Sequence, residues 1–113
     1  MSFKICAAAA AVLCAFALPA SAGVDNDAAL KVLKESGCTK CHAVDKKKEG
    51  PAYKDVAAKW KAKPAAEAHA RLVQHITSGE KVKFEDGHEE DHAIVKTKDK
   101  AEIDNLVDWI LSQ

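Results

Sequence analysis

The sequence predicts an all-α fold of four short helices, and three observations carry that prediction. Four stretches place apolar residues at helical spacing, and Gly, Pro or runs of charge separate them. No segment downstream of residue 42 alternates with the period of two that a half-buried strand would show. Between the first two stretches lies the string Cys38-Thr39-Lys40-Cys41-His42, a tight cluster of ligating side chains around which a small helical chain can close.

The first 22 of the 113 residues read as an export signal. Lys4 gives a positive start, Ile5 to Leu18 is apolar, and Ala20-Ser21-Ala22 is a small-x-small cleavage site. The apolar run is too short to span a bilayer. A lipid anchor on Cys14 fits poorly, because Leu13 precedes it where a small residue is expected. Residues 23–113 then form a single domain, in which Cys38 and Cys41 are the remaining cysteines. With Lys4 gone, 16 basic side chains face 17 acidic ones, a balance that gives no reason to expect nucleic acid as a partner. A domain of this length buries a low fraction of its surface, so a large apolar cofactor at its centre would complete the core.

Within that domain Asp25 to Asp27 offer N-caps for a first helix over residues 28–36, with Ala29, Leu30, Val32 and Leu33 as its apolar set and Gly37 as its stop. A charged loop, Asp45 to Glu49, leads to a sharp turn at Gly50-Pro51. The second helix spans residues 53–61, with Tyr53, Val56, Ala57 and Trp60 on one face at i, i+3, i+4 and i+7. Pro64 opens a third over residues 65–78, which Gly79 ends; its stripe is Leu72, Val73 and Ile76, with His69 at the border and His75 on a flank. Residues 80–96 show no helical period and read as a long acidic loop holding His88 and His92, its end buried through Ala93-Ile94-Val95. Thr97 or Asp99 caps the last helix, the latter in a capping box with Glu102. Ile103, Leu106, Val107, Ile110 and Leu111 form its apolar face, with Trp109 beside it.

The C-x-x-C-H string carries the chemistry. Two thiols one helical turn apart can add to the two vinyl groups on one edge of a porphyrin, and the next residue, His42, then lies under the iron. A C-x-x-C pair alone also fits a dithiol redox couple or half of a zinc site. The redox couple needs an adjacent βαβ pattern, which is missing; zinc needs two more ligands, which His88 and His92 could supply. Export favours haem, since covalent haem attachment in bacteria takes place outside the cytoplasm.

Export signal, helix, C-x-x-C-H, the segment Gly50-Pro51-Ala52-Tyr53-Lys54-Asp55-Val56-Ala57-Ala58-Lys59 and a C-terminal amphipathic helix together resemble the small bacterial class I cytochromes c over residues 24–113. The resemblance implies one haem c bound covalently through Cys38 and Cys41, with His42 on the iron and the four helices wrapped around the haem. It implies that the N- and C-terminal helices touch through Leu30, Leu33, Leu106 and Trp109. It also implies that the Pro51 carbonyl accepts a hydrogen bond from His42, that Tyr53 and Trp60 contact the haem, and that His75 stands where relatives carry a basic side chain within reach of a haem propionate.

The sixth iron ligand departs from the family pattern. Class I members usually place a methionine in the loop before the last helix; here the only methionine is Met1, and Asn occurs in the domain only at 26 and 105. Histidine replaces it, with His92 at the family's position and His88 as the alternative. The expectation is a periplasmic, monomeric one-electron carrier with bis-histidine haem of low potential, serving redox protein partners, without enzymatic activity and without a membrane span. The alternative is a gas-binding or ligand-switching haem protein.

Overall fold

A computed structural model describes residues 23–113; the stretch read as an export signal, residues 1–22 with Cys6 and Cys14, lies outside the described residues. The order is α1 (Asn26–Glu35), a 3-10 turn (Cys38–Lys40), α2 (Tyr53–Trp60), α3 (Ala65–Thr77), two short strands β1 (Lys81–Lys83) and β2 (Glu89–Asp91), and α4 (Lys100–Leu111). Helix α4 is the centre of the packing, touching α1, α2 and α3. Among the described residues no helix is long and apolar enough to cross a membrane.

Helix α1 starts where Asp25 accepts the Ala28 N–H at 2.9 Å, the usual way an orphan donor of a first turn is satisfied. It buries Ala29, Val32 and Leu33. Leu30 is 44% exposed and stands outside the packed core, contrary to its expected place in the crossing. At 3.6 residues per turn Leu30 is rotated about 100° from Ala29, off the stripe that Ala29, Val32 and Leu33 share. Leu33, Leu106 and Trp109 do belong to the common core. The crossing is also polar at its end. Asn105 accepts from the Asp25 N–H at 2.8 Å and donates to the Asp25 carbonyl at 2.9 Å, while the Trp109 indole N–H donates to Asn26 Oδ1 at 2.8 Å. Trp109 is thereby fully part of the core.

Asp99 caps α4 by accepting from the N–H groups of Ala101 and Glu102. The expected box closes through an intermediary. The Glu102 carboxylate accepts from the Thr97 hydroxyl, and Thr97 Oγ1 accepts the Asp99 N–H at 3.1 Å. Both cap candidates are therefore used.

The segment read as loop contains a β-hairpin. β1 and β2 pair antiparallel with Lys81 opposite Asp91, Val82 opposite Glu90 and Lys83 opposite Glu89, so opposite charges face each other across two of three rungs, a stabilising arrangement. Gly87 turns the tip with φ 92°, and the Phe84 N–H reaches the His88 carbonyl at 2.9 Å. Asp86-Gly87 is a strong hairpin signal. Three-residue strands with charged side chains on both ends hide the alternation that marks longer ones. Beyond the hairpin Val95 is buried, as expected from the apolar run, while Ile94 remains 45% exposed and closes over Gly79.

Candidate functional site

The Cys38–His42 segment is shaped by the end of α1. Gly37 takes the left-handed conformation (φ 72°) that Gly adopts without steric cost, and the chain tightens into the 3-10 turn. The N–H groups of Cys41 and His42 both point to the Cys38 carbonyl, at 3.2 and 3.1 Å. The following loop folds back onto this turn: Gly50 N–H donates to the Cys41 carbonyl at 2.7 Å, Tyr53 N–H to Ala43 at 2.9 Å and Lys54 N–H to Val44 at 3.0 Å. That return brings the Pro51 carbonyl 2.7 Å from His42 Nδ1. A carbonyl partner makes Nδ1 the protonated nitrogen, and Nε2 keeps its lone pair. Gly50 lies flat against the imidazole. A Cβ there would stand 2.4 Å from His42 Cε1, a close approach hidden from sequence because Gly50 reads simply as a turn residue. The ring of Tyr53 stacks on His42 at 5.2 Å and 24°, and meets Trp109 edge-on at 5.5 Å. Burial pushes the Tyr53 phenol far above its ordinary range.

His92 follows β2 directly, its N–H held by the Glu80 carbonyl at 2.9 Å. Its ring centre is 6.2 Å from that of His42, with the planes 50° apart. Its Nδ1 bonds the Ala93 carbonyl at 2.9 Å, which again leaves Nε2 without a backbone partner. Burial, and then the neighbouring His75, lowers its pKa and favours the neutral imidazole. The rings of His75 and His92 are 4.0 Å apart. His75 Nδ1 bonds the Glu80 carboxylate, and Arg71 Nη1 reaches the same oxygen at 2.8 Å; these partners hold the Glu80 carboxyl below its usual range. Nothing in sequence spacing marks the Arg71–Glu80–His75 chain.

The other histidines lie elsewhere. His88 sits exposed at the hairpin tip, bonded to Asp86 and Glu90 and stacked on Phe84 at 4.3 Å. Its pKa is raised chiefly by the Asp86 carboxylate. His69 joins α3 to α4 through bonds of 2.9 Å to both Asp104 and Asp108. Its partial burial opposes protonation, but the two carboxylates outweigh it and raise its pKa. The zinc alternative needs His88 and His92 beside both thiols, and His88 is engaged at the tip instead. Among the described residues no group of three or more His, Cys, Asp or Glu side chains is placed to hold a bare metal ion.

Cys38, Cys41, His42, His75 and His92 all open into one cavity of about 530 Å³, walled by apolar side chains that include Leu33, Val56, Trp60, Leu72, Ile76, Leu106 and Ile110. Pro51 and Tyr53 also line it. The donor set fits a haem: two half-buried thiols on one edge and two imidazoles across an apolar slot. Spacing fits as well. Metal to imidazole-nitrogen bonds of about 2.0 Å on opposite sides of one ion put the ring centres about 6 Å apart, against the 6.2 Å found.

Four helices closed on an apolar slot, with both cysteines of a C-x-x-C-H turn opening into it, define a small c-type haem protein of the monohaem electron-transfer class. The chain belongs to the cytochrome c family, whose sequence model matches residues 28–113. It is 40% identical over 82 residues, 73% of each chain, to cytochrome c-551 of Pseudomonas aeruginosa. With cytochrome c-551 of Allochromatium vinosum it shares 48% identity over 50 residues, 44% of this chain and 51% of the other. Among solved structures it is similar to the class 1 cytochrome MtoD from Sideroxydans lithotrophicus ES-1, at 54% identity and a TM-score of 0.72 over 79% of this chain and 96% of that one. Wild-type cytochrome c552 of Nitrosomonas europaea matches at 30% identity and a TM-score of 0.56, over 74% of this chain and 96% of that one. The chain is accordingly an electron-transfer haem protein, with haem c attached covalently through Cys38 and Cys41.

Proposed function

We propose that this protein is a periplasmic one-electron carrier whose iron is held by His42 on one side and His92 on the other. The export signal over residues 1–22, removed before Gly23, is the sequence feature behind the location. The observation that carries the ligand assignment is the pair of opposed imidazoles: ring centres 6.2 Å apart across the cavity, each with Nδ1 turned to a backbone carbonyl and Nε2 left for a metal. A backbone acceptor on the second nitrogen orients a ligating imidazole and raises its basicity, the common arrangement around metal-bound histidine.

When bound, the haem supplies a one-electron ferric/ferrous couple. The chain's own residues do the rest. Cys38 and Cys41 tether the group, Gly50 and Pro51 set the plane and tilt of His42, and burial together with His75 keeps His92 neutral and able to ligate. Tyr53 and Trp60 wall the slot against water, and His75, tied to Glu80, stands at the distal rim. Because His42 and His92 are each held by a backbone carbonyl, they would offer the haem the same two imidazole nitrogens in either oxidation state, and the chain would rearrange little on electron transfer. An imidazole in place of the thioether that raises potential in cytochromes c makes this a low-potential carrier.

Low-temperature EPR of the ferric protein tests the assignment, with a low-spin bis-imidazole signal expected. Binding of carbon monoxide to the reduced wild type, seen as a Soret shift, would instead support an open or switching distal site.

A further inference from the structure

Helix α3 ends so that the chain leaving it folds back along its last turns. Ser78 caps the helix, Gly79 takes the left-handed conformation (φ 66°), and the Glu80 N–H meets Ser78 Oγ at 3.3 Å, a reversal that a glycine just past a helix end permits. Arg71 and His75 stand four residues apart in α3, and so lie on one face. The reversal lays the Glu80 side chain on that face. A single oxygen, Oε1, accepts from Arg71 Nη1 at 2.8 Å and from His75 Nδ1. Bonds to a charged acceptor are short and strong, so a carboxylate gripped from two successive turns holds the imidazole still.

The two opposed imidazoles of the slot are not held alike. His42 is fixed by a separate stretch of chain: the Pro51 carbonyl, the Gly50 backbone against the ring and the stacked Tyr53. The carbonyl at His92 Nδ1 belongs to the next residue, Ala93, and ties the ring only to its own backbone. Among the described residues the rings beside it are His42, across the slot, and His75, whose centre is 4.0 Å away with the planes 41° apart. At that separation the two rings touch, and His92 cannot turn about its Cβ–Cγ bond without displacing His75. We propose, on the reading that His92 ligates the iron, that Glu80 is a positioning residue for that ligand: its carboxylate, held by Arg71, fixes the His75 ring, and His75 sets the plane of His92 at 50° to that of His42. Glu80 thereby grips the ligand twice, since its backbone carbonyl also accepts the His92 N–H at 2.9 Å.

The angle between two axial imidazole planes controls the separation of the iron dπ orbitals, and the largest g value of a low-spin ferric haem follows it. The test is low-temperature EPR of the ferric holoprotein, with the midpoint potential measured on the same samples. Glu80→Ala and His75→Ala are each expected to move the largest g value by more than the wild-type linewidth and to broaden it, because a spread of ring angles replaces one. Glu80→Gln, whose amide oxygen can still accept from both donors, should stay closer to wild type. His69→Gln loosens α3 nearer its start, at the bonds to Asp104 and Asp108, and as the control for lost stability should leave the g values unchanged. His75 and Glu80 side chains are 30% and 25% exposed, so both alanine variants are expected to keep the fold, which circular dichroism verifies. Wild-type g values in either alanine variant overturn the proposal, as does an equal shift in His69→Gln. A shifted potential at unchanged g values overturns it too, because Glu80 and His75 would then act on the haem through charge alone. A wild-type protein without a low-spin bis-imidazole signal fails differently: it removes His92 from the iron, and the positioning role falls with the ligand.

Discussion

Replacing Gly50 by alanine perturbs the site through one methyl group, and the structure gives the size of the effect. The new Cβ would lie 2.4 Å from His42 Cε1, 2.8 Å from Nδ1 and 2.9 Å from Nε2. An ordinary carbon contact of about 3.5 Å requires the ring to retreat by about 1 Å. Retreat of that size carries Nδ1 from 2.7 Å to beyond hydrogen-bond reach of the Pro51 carbonyl, and presses the ring on Tyr53, stacked behind it at 5.2 Å. Overpacking of this kind costs about 1–3 kcal/mol, and the lost hydrogen bond about 0.5–1.5 kcal/mol. The sum, roughly 2–4 kcal/mol, lowers the melting temperature of a domain this small by about 10–20 °C. The assay is thermal unfolding of the holoprotein by circular dichroism, with the ferric visible spectrum as a readout at the iron. Gly87→Ala is the control: its Cβ would meet nothing within 4 Å, although φ is 92°, so only backbone strain of about 1 kcal/mol is expected, with no spectral change. A Gly50→Ala protein with wild-type melting and spectrum would refute the claim that this glycine sets the position of His42.

His92→Ala should convert the ferric spectrum from low-spin to high-spin and open reduced iron to carbon monoxide, and His92→Met should raise the potential in voltammetry; a low-spin His92→Ala beside a high-spin His88→Ala would transfer the ligand role to His88. His69 has a pKa raised by Asp104 and Asp108 against its partial burial, so its stabilising contribution is complete below the unfolded value of about 6.5 and is lost as pH rises through the folded value. Urea unfolding of His69→Gln should therefore show a deficit against wild type at pH 5 that shrinks at pH 9; an equal gap at both would reject the ion-pair account. Cys38→Ala/Cys41→Ala, unable to tether haem, leaves a cavity of about 530 Å³. An apolar slot left open to water removes a large share of the core of a domain this small, whose stability margin is narrow, and far-UV circular dichroism should report a largely unfolded chain.

Features encoded within a few neighbouring residues are legible in the amino-acid sequence alone. The four helices, the C-x-x-C-H turn, the Asp25 and Asp99 caps and the buried faces of α3 and α4 depend on spacings of one helical turn, where the covalent chain itself holds the partners together. Absence of a methionine after residue 1 likewise removes the family's usual sixth ligand without reference to any contact. The hairpin escapes such a reading although Asp86-Gly87 announces it, because its strands are too short to show a period and are held by cross-strand charge pairs.

Rotation and long-range pairing belong to the tertiary structure. Helical periodicity offers both Leu30 and Leu33 to the core, and the placement of α4 chooses Leu33. Lysines 40, 46, 47, 48 and 54 look equivalent in sequence, yet Glu85, 38 positions away, pairs with Lys47, and Lys48 turns to the Thr39 carbonyl. His42 and His92 lie far apart in the chain, and only its return through α3, the hairpin and Glu80 sets their rings 6.2 Å apart. The sequence by itself determined which ligands the chain owns and the local turn that presents its two thiols. Which of its histidines face each other was decided by packing, since that distance is the sum of many element lengths and angles that no local pattern encodes.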